Sequence, residues 1–577
     1  MIFKIFSVAS AFLLSFSYAF KNCGFGTPDL PAPKNLASNP TIQKALSDLK
    51  AAINDGITSG KFSPNSTSFS VEIFSTHSQT SLFEYYHTAP NLAASNGTKI
   101  VDSNSIYRVA SVLKLLSVYT FIIETGDKHF HEPVTKYIPE LAAASHEYSD
   151  SKAADAVDWK SITVGNLASH MSGIGRDYTG DLLGNTDLTS SGFPPLNASD
   201  FKLCALPSDC DRKKFFENIV KRHPVFPTST TPIYSNIAFL IFGYVLENIT
   251  GKSFKESFTK SLISKLKLNG TTYEKPKNNK NGVIPTTAFE TMWDLDSPGF
   301  VPAGGIYSSS GDLAKIGRSI LSSSILTPTQ TRRWMKPVSH TALLQFSVGM
   351  PWEIGRLQLP APQNKIIDVY QKLGLLGSYS TDFSLIPGWD MGYVILHADD
   401  PTRPTGVSSA IGELINTLLL PAVEEAAREE VNAKYTGTYK SSNPKLNSSM
   451  SVITNPDNLG LSVISLISNS TDMVNTAAAL LGNIPSSDVL ITLYPTGLEE
   501  VIPGSYGDTL QTFRAVFENK ATVNPESSFG NCDSWGSADS PVYGSVAVDE
   551  FAFLVGSDGK AKSAEVRSLR AVLEKVQ

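Results

Sequence analysis

Apolar and polar positions change texture along this chain at about residue 435. Ahead of that point Val112, Leu113, Leu115, Leu116, Val118, Tyr119, Phe121, Ile122 and Ile123 form a run too continuous for a surface helix. It predicts a buried helix starting near Ser111, with residues 106–110 as a short extended lead. A second helical apolar run covers residues 237–246 and stops near Gly251. Residues 369–380, 383–387 and 392–397 read as neighbouring antiparallel strands. With an earlier strand at 68–74, they are expected to supply the edges of one sheet. The stretch 176–210, rich in Gly, Asp, Pro and Ser, reads as a long loop over a site. Residues 408–433 read as a helix linking two domains, its end solvated by Glu424, Glu425, Arg428, Glu429 and Glu430. After Tyr435 to Tyr439, short β-type runs at 459–467, 489–494, 512–517 and 551–555 predict a small β-sandwich or barrel.

The chemistry starts where the buried helix starts. Unpaired N–H groups and the positive end of the helix dipole favour negative charge beside a serine oxygen at Ser111. Lys114, three residues on, shares that helix face. An amine held among apolar side chains loses solvation of its charged form, so its pKa falls and it can act as a base toward the hydroxyl. The S-x-x-K spacing alone is cheap, since Ser47, Ser149, Ser257, Ser264, Ser442 and Ser557 also open it.

Two further triplets follow in order, Tyr234-Ser235-Asn236 and Lys372-Leu373-Gly374. A tyrosine beside an ammonium can have a lowered pKa and shuttle a proton, while Asn236 could orient the lysine or a substrate amide. The plainer reading is a helix N-terminus with a packed tyrosine and a capping turn. Lys372 would hold a positive potential over a site, and the backbone N–H after Gly374 could supply half of an oxyanion hole. A lysine on an edge strand can equally be a guard against aggregation.

Together the three triplets resemble the active-site motifs of serine β-lactamases and penicillin-binding proteins. Residues 162–174 (ITVGNLASHMSGI) are similar to the family segment I-T-V-x-x-L-L-x-H-x-S-G-L, and residues 302–315 (PAGGIYSSSGDLAK) to P-A-G-G-x-x-S-x-x-x-D-L-A. Five ordered matches identify the chain as a member of the β-lactamase-related serine hydrolases of the class C and DD-peptidase type. No G-x-S-x-G elbow of an α/β-hydrolase is present.

The resemblance implies an α+β fold, an antiparallel sheet flanked by helices plus a helical lobe, followed by a smaller all-β domain as in secreted fungal relatives. It implies a nucleophile at Ser111, a base or proton relay at Lys114, a second acid/base at Tyr234, and electrostatic support from Lys372. Asn236 would contact substrate or Lys114. Gly374 would lie against the substrate, and the N–H groups of Ser111 and Leu375 would form the oxyanion hole. Leu373 departs from the usual Lys-Thr-Gly, and losing that hydroxyl removes a contact to a substrate carboxylate. Ester, amide or peptide substrates are therefore expected ahead of β-lactams. The alternatives are an acyltransferase acting on a small secondary metabolite and a non-turnover binding protein of the same fold.

Composition fits this picture. The chain has 577 residues, 41% hydrophobic and 18% charged, with a net charge of −6, so it has ample core and no basic excess for nucleic acid. Residues 1–19, with Lys4, an apolar stretch and Ser17-Tyr18-Ala19, read as a signal peptide; residues 20–425 would be the catalytic domain and 426–577 the linker end and β-domain. No later run is long and apolar enough to span a bilayer, and the expected partner is a small-molecule or peptide substrate. Cys204 and Cys210 flank a five-residue loop and would pair, leaving Cys23 with Cys532. No histidine lies close to either pair in sequence, so metal ligation is disfavoured and no cofactor is expected. Sequons at Asn65, Asn96, Asn197, Asn248, Asn269, Asn447 and Asn469 fit a secreted glycoprotein.

Overall fold

A computed structural model describes residues 24–26, 28–178, 189–195, 210–295, 301–360, 365–400, 406–456, 458–520 and 534–576. The chain divides into two compact units, one of residues 33–358 and 366–424, the other of residues 1–32, 359–365 and 425–577.

The larger unit is built on an eight-stranded sheet. Its strands are β1 (Ser68–Ser75), β2 (Phe83–His87), β3 (Ser339–His340), β4 (Phe346–Val348), β5 (Glu353–Gln358), β6 (Ile366–Leu376), β7 (Tyr379–Ile386) and β8 (Met391–Ala398). They run in the order β2-β1-β8-β7-β6-β5-β4-β3, each antiparallel to its neighbour. β1, β7 and β8 are buried along their whole length, which requires cover on both faces. Helix α1 (Pro40–Thr58) precedes the sheet in sequence, and α4 (Ser310–Leu321) supplies cover on one face, where Gly317 is needed: a Cβ there would lie 2.3 Å from the Phe74 ring. On the other face the helix Val407–Leu414 brings Ser408 Oγ to 2.8 Å from Ser380 Oγ.

The sheet edges differ from the sequence expectation. Residues 68–74 do not form an edge, because β2 covers the outer side of β1, and the region 370–396 is an edge only from Lys372 to Leu376, because β3 to β5 extend the sheet beyond the earlier part of β6. These covering strands are short or half exposed, so they carry little apolar alternation to betray them. β5 nevertheless stops short: its last pair is Glu353 with Gln371, and Lys372 to Leu376 run on past it.

The helical lobe lies in sequence between the first and third motifs. α2 (Val112–Thr125) is buried from Val112 to Ile122, and α3 (Asn236–Thr250) is buried over most of its length. They interlock through rings such as Phe121 and Phe242, 4.8 Å apart. α3 ends at Gly251 in the left-handed conformation that glycine adopts without penalty.

In the smaller unit, strands Gly437–Lys440, Ser449–Thr454, Leu461–Ser468, Val489–Val501, Thr509–Asn519, Glu550–Val555, Ala561–Val566 and Ala571–Lys575 each pair with the next. The last pairs with the first through Tyr439 and Lys575, so the sheet closes into an up-and-down barrel without open edges. Its core gathers Phe513, Phe551 and Phe553 with Tyr439, and Tyr435 of α5 (Leu420–Tyr435) packs on the same rings. The division between units falls inside α5, at Glu424 and Glu425. The first described residues belong with the barrel unit: Leu30 joins its core, and Ser534 Oγ donates to the Gly24 carbonyl at 2.6 Å. Cys210 is buried and is not a free thiol; Cys23, Cys204 and Cys532 lie outside the described residues, as do residues 1–19 and Asn197.

Candidate active site

The two-residue ladder of Tyr107–Arg108 with Tyr307–Ser308 holds the segment leading to Ser111. Arg108, almost fully buried, ties it down through bonds to the Leu295 carbonyl and the Tyr307 hydroxyl, both 2.8 Å. Ala110 then takes φ 48°, a left-handed conformation uncommon for a residue with a Cβ. Ser111 follows at the N-cap of α2 but makes no capping bond with its side chain, so Oγ remains available for other partners.

Those partners converge from three parts of the chain. Lys114 Nζ bonds to Ser111 Oγ at 3.0 Å and donates to the Ala303 carbonyl at 2.6 Å. The Tyr234 hydroxyl donates to Ser111 Oγ at 2.7 Å. Lys372 Nζ lies 5.3 Å from the centre of the Tyr234 ring, and Lys114 Nζ lies 5.0 Å from it. Gly374 meets the turn before Ser111, since a Cβ there would stand 2.3 Å from the Val109 carbonyl oxygen and 3.3 Å from Ser111 N. Leu375, the next residue, is 62% exposed on the run of β6 beyond β5.

Electrostatics follow from burial and from these neighbours. Burial pushes the Lys114 ammonium down to about 8, with the Lys372 charge adding to the effect and Tyr234 opposing it. Burial alone would raise the Tyr234 phenol, but the Lys372 and Lys114 ammoniums outweigh it and its pKa falls below 10.0. Lys372 is also buried, yet the Glu353 carboxylate and Tyr234 more than offset desolvation and hold it above its ordinary value. At pH 7 to 8 the site therefore contains one ammonium that keeps its proton and one that can lose it.

Residues missed by the sequence reading position Tyr234. His170, at φ 61°, stacks on the Tyr234 ring at 4.4 Å, and its Nδ1 accepts from Ser235 N at 3.1 Å. Burial, then the nearby Lys114, Lys372 and Arg176 charges, hold this imidazole well below its usual pKa, so it is neutral. The acceptor role of Nδ1 places its proton on Nε2. Ser235 caps α3 by accepting from Ala238 N and donates to the Gly175 carbonyl. Of the two contacts expected of Asn236, with substrate or with Lys114, the one with Lys114 is not made: its amide nitrogen donates to Asp177 Oδ1 at 2.5 Å. Helix geometry explains this, because the residue after the N-cap has its backbone bonded to the Arg176 carbonyl and its side chain falls beside Asp177. His170 stood in the segment 162–174, which carried a signal; Asp177 and Glu353 had none.

The beta-lactamase family profile matches residues 74–413, and a profile described as the C-terminal domain of beta-lactamase-like proteins matches residues 427–577. A beta-lactamase-like protein of the fungus Arthroderma benhamiae is 30% identical over 94% of each chain. A probable hydrolase, M10, of Phoma sp. is 25% identical over 78% of this chain and 73% of its own. The D-alanyl-D-alanine-carboxypeptidase/endopeptidase AmpH of Escherichia coli is 23% identical over 55% of this chain and 77% of its own. With the profile covering more than half of its length, the chain belongs to the beta-lactamase family.

Proposed function

We propose that this protein is a secreted serine hydrolase that works through an acyl-Ser111 intermediate on an ester, amide or peptide substrate. The observation that carries the reading is the convergence of Lys114 Nζ and the Tyr234 hydroxyl on Ser111 Oγ, at 3.0 and 2.7 Å. A neutral Lys114 keeps one N–H on the Ala303 carbonyl and turns its lone pair to the Ser111 hydroxyl. It takes that proton as Oγ attacks the acyl carbon. Negative charge then develops on the carbonyl oxygen, for which the N–H groups of Ser111 and Leu375 are the candidate donors. Tyr234 hands a proton to the leaving group, and water, activated by the same pair, releases the acid. The names of the Phoma hydrolase and the E. coli peptidase support acyl transfer to water.

Secretion, glycosylation and disulfides belong to the same proposal. The six described sequon asparagines are all exposed, as glycan attachment requires. The Ser534 to Gly24 bond brings together residues near Cys532 and Cys23 in sequence, which supports their pairing within the barrel unit. Among the described residues no helix is long and apolar enough to cross a membrane. The test is labelling with a fluorophosphonate, then a panel of p-nitrophenyl esters, D-amino-acid amides and nitrocefin. One adduct and turnover of at least one class are expected; no adduct and no turnover would overturn the reading.

A further inference from the structure

The third motif carries a carboxylate of its own. Glu353, the first residue of β5, puts Oε1 2.5 Å from Lys372 Nζ and Oε2 2.9 Å from the backbone N of Leu373. An ammonium and an N–H side by side are the groups that would hold a carboxylate on a substrate, and here one side chain takes both. The Lys372 side chain is 1% exposed, and its remaining bond goes to the Leu373 carbonyl at 2.9 Å.

Of the other cations at the site, Arg176 is 68% exposed, with its guanidinium 5.1 Å from the Tyr234 ring centre and its Nε 3.3 Å from Asp177 Oδ2. Lys114 is fully buried and committed to Ser111 and Ala303. Beside Lys372 the strand presents Leu373 and Leu375, 38% and 62% exposed, where a polar clamp would need hydroxyls.

We infer that Glu353 is a specificity-determining residue that fills the anion-recognition position with an internal carboxylate and restricts Ser111 to uncharged acyl substrates. This rests on the serine hydrolase reading above. A substrate carboxylate placed there meets Glu353 at close range and finds its partners taken, and a like charge built against a ligand discriminates as strongly as a contact built for one.

The test uses p-nitrophenyl hexanoate and mono-p-nitrophenyl adipate, acyl chains of one length that differ by a terminal carboxylate. The full chain is expected to prefer the hexanoate by more than about tenfold in kcat/KM, and Glu353→Gln, which keeps an acceptor for Leu373 N–H but loses the charge, is expected to cut that preference at least about tenfold. Equal rates in the native protein, or an unchanged ratio in Glu353→Gln that still labels at Ser111, would overturn the inference. Should Glu353→Gln fail to label, inhibition of the native protein by pentylboronic acid against 5-boronopentanoic acid decides. Weaker inhibition by the carboxylate-bearing boronate supports the proposal, and equal or stronger inhibition overturns it. Failure of Ser111 to label in the native protein would instead sink the hydrolase reading, so the two failures are distinct.

Discussion

The Tyr234 hydroxyl sits 2.7 Å from Ser111 Oγ although 123 residues separate the two in sequence. Its proton donation leaves the Ser111 oxygen hydrogen-bonded from one side while Lys114 approaches from another at 3.0 Å. Ser111 is thus expected to be the acylated residue. Intact mass after fluorophosphonate treatment should show one adduct on the peptide containing Ser111, and Ser111→Ala should abolish turnover; an adduct on another serine would refute the assignment.

Lys114→Ala and Tyr234→Phe should each lower kcat by about 10²- to 10⁴-fold, with much smaller changes in KM, because the proposed mechanism gives both residues proton transfer rather than substrate capture. Steady-state kinetics on a single ester checks this. Losses under about tenfold for both variants would leave them with a structural role only.

The pH profile should be a bell. Lys114 must be neutral to act as a base, so kcat/KM is expected to climb through about pH 8. It should fall again on an alkaline limb below 10.0, where Tyr234 loses the proton it donates. In Tyr234→Phe the alkaline limb should vanish while the acid limb stays. Stability carries the same signature with a definite sign. The folded Lys114 pKa lies below the unfolded one, so the unfolded chain binds more protons between the two values and stability rises with pH across that window. A shift from 10.5 to about 8 corresponds to about 3 kcal/mol of folding cost below the window. Lys114→Met should remove that cost, and a higher Tm at pH 7 than the native chain would show it.

Gly374→Ala should damage the protein at the junction of β6 with the Ser111 turn. A Cβ there would stand 2.3 Å from a backbone carbonyl oxygen, which cannot rotate away. Overpacking of this kind costs about 1–3 kcal/mol and shifts the strand. Loss of Ser111 labelling together with a lowered Tm is expected; native labelling and native Tm would show that the strand yields freely.

Ser111, Lys114, Tyr234 and Lys372 were legible in the sequence because each stands in a short pattern next to a strong apolar signal, and apolar periodicity reports local structure directly. The buried helices α2 and α3 and the strands β6 to β8 were visible for the same reason. What the pattern could not do was choose among equals. Eight serines open S-x-x-K in this chain, and among the described side chains Lys50, Lys260, Lys267, Lys445 and Lys560 of the other patterns are exposed, whereas Lys114 is buried. Only burial strips the ammonium of water and lowers its pKa, and burial is a property of the folded chain. The same holds for the partners that tune the site. His170, Asp177 and Glu353 act through contacts with residues 65, 59 and 20 positions away at their bonded atoms, and no local periodicity records a contact of that span. The sequence determined which groups can do chemistry; the packing of β5 against β6, and of the segment 170–177 against the start of α3, decided which of them hold a proton, which hold each other, and which remain for a substrate.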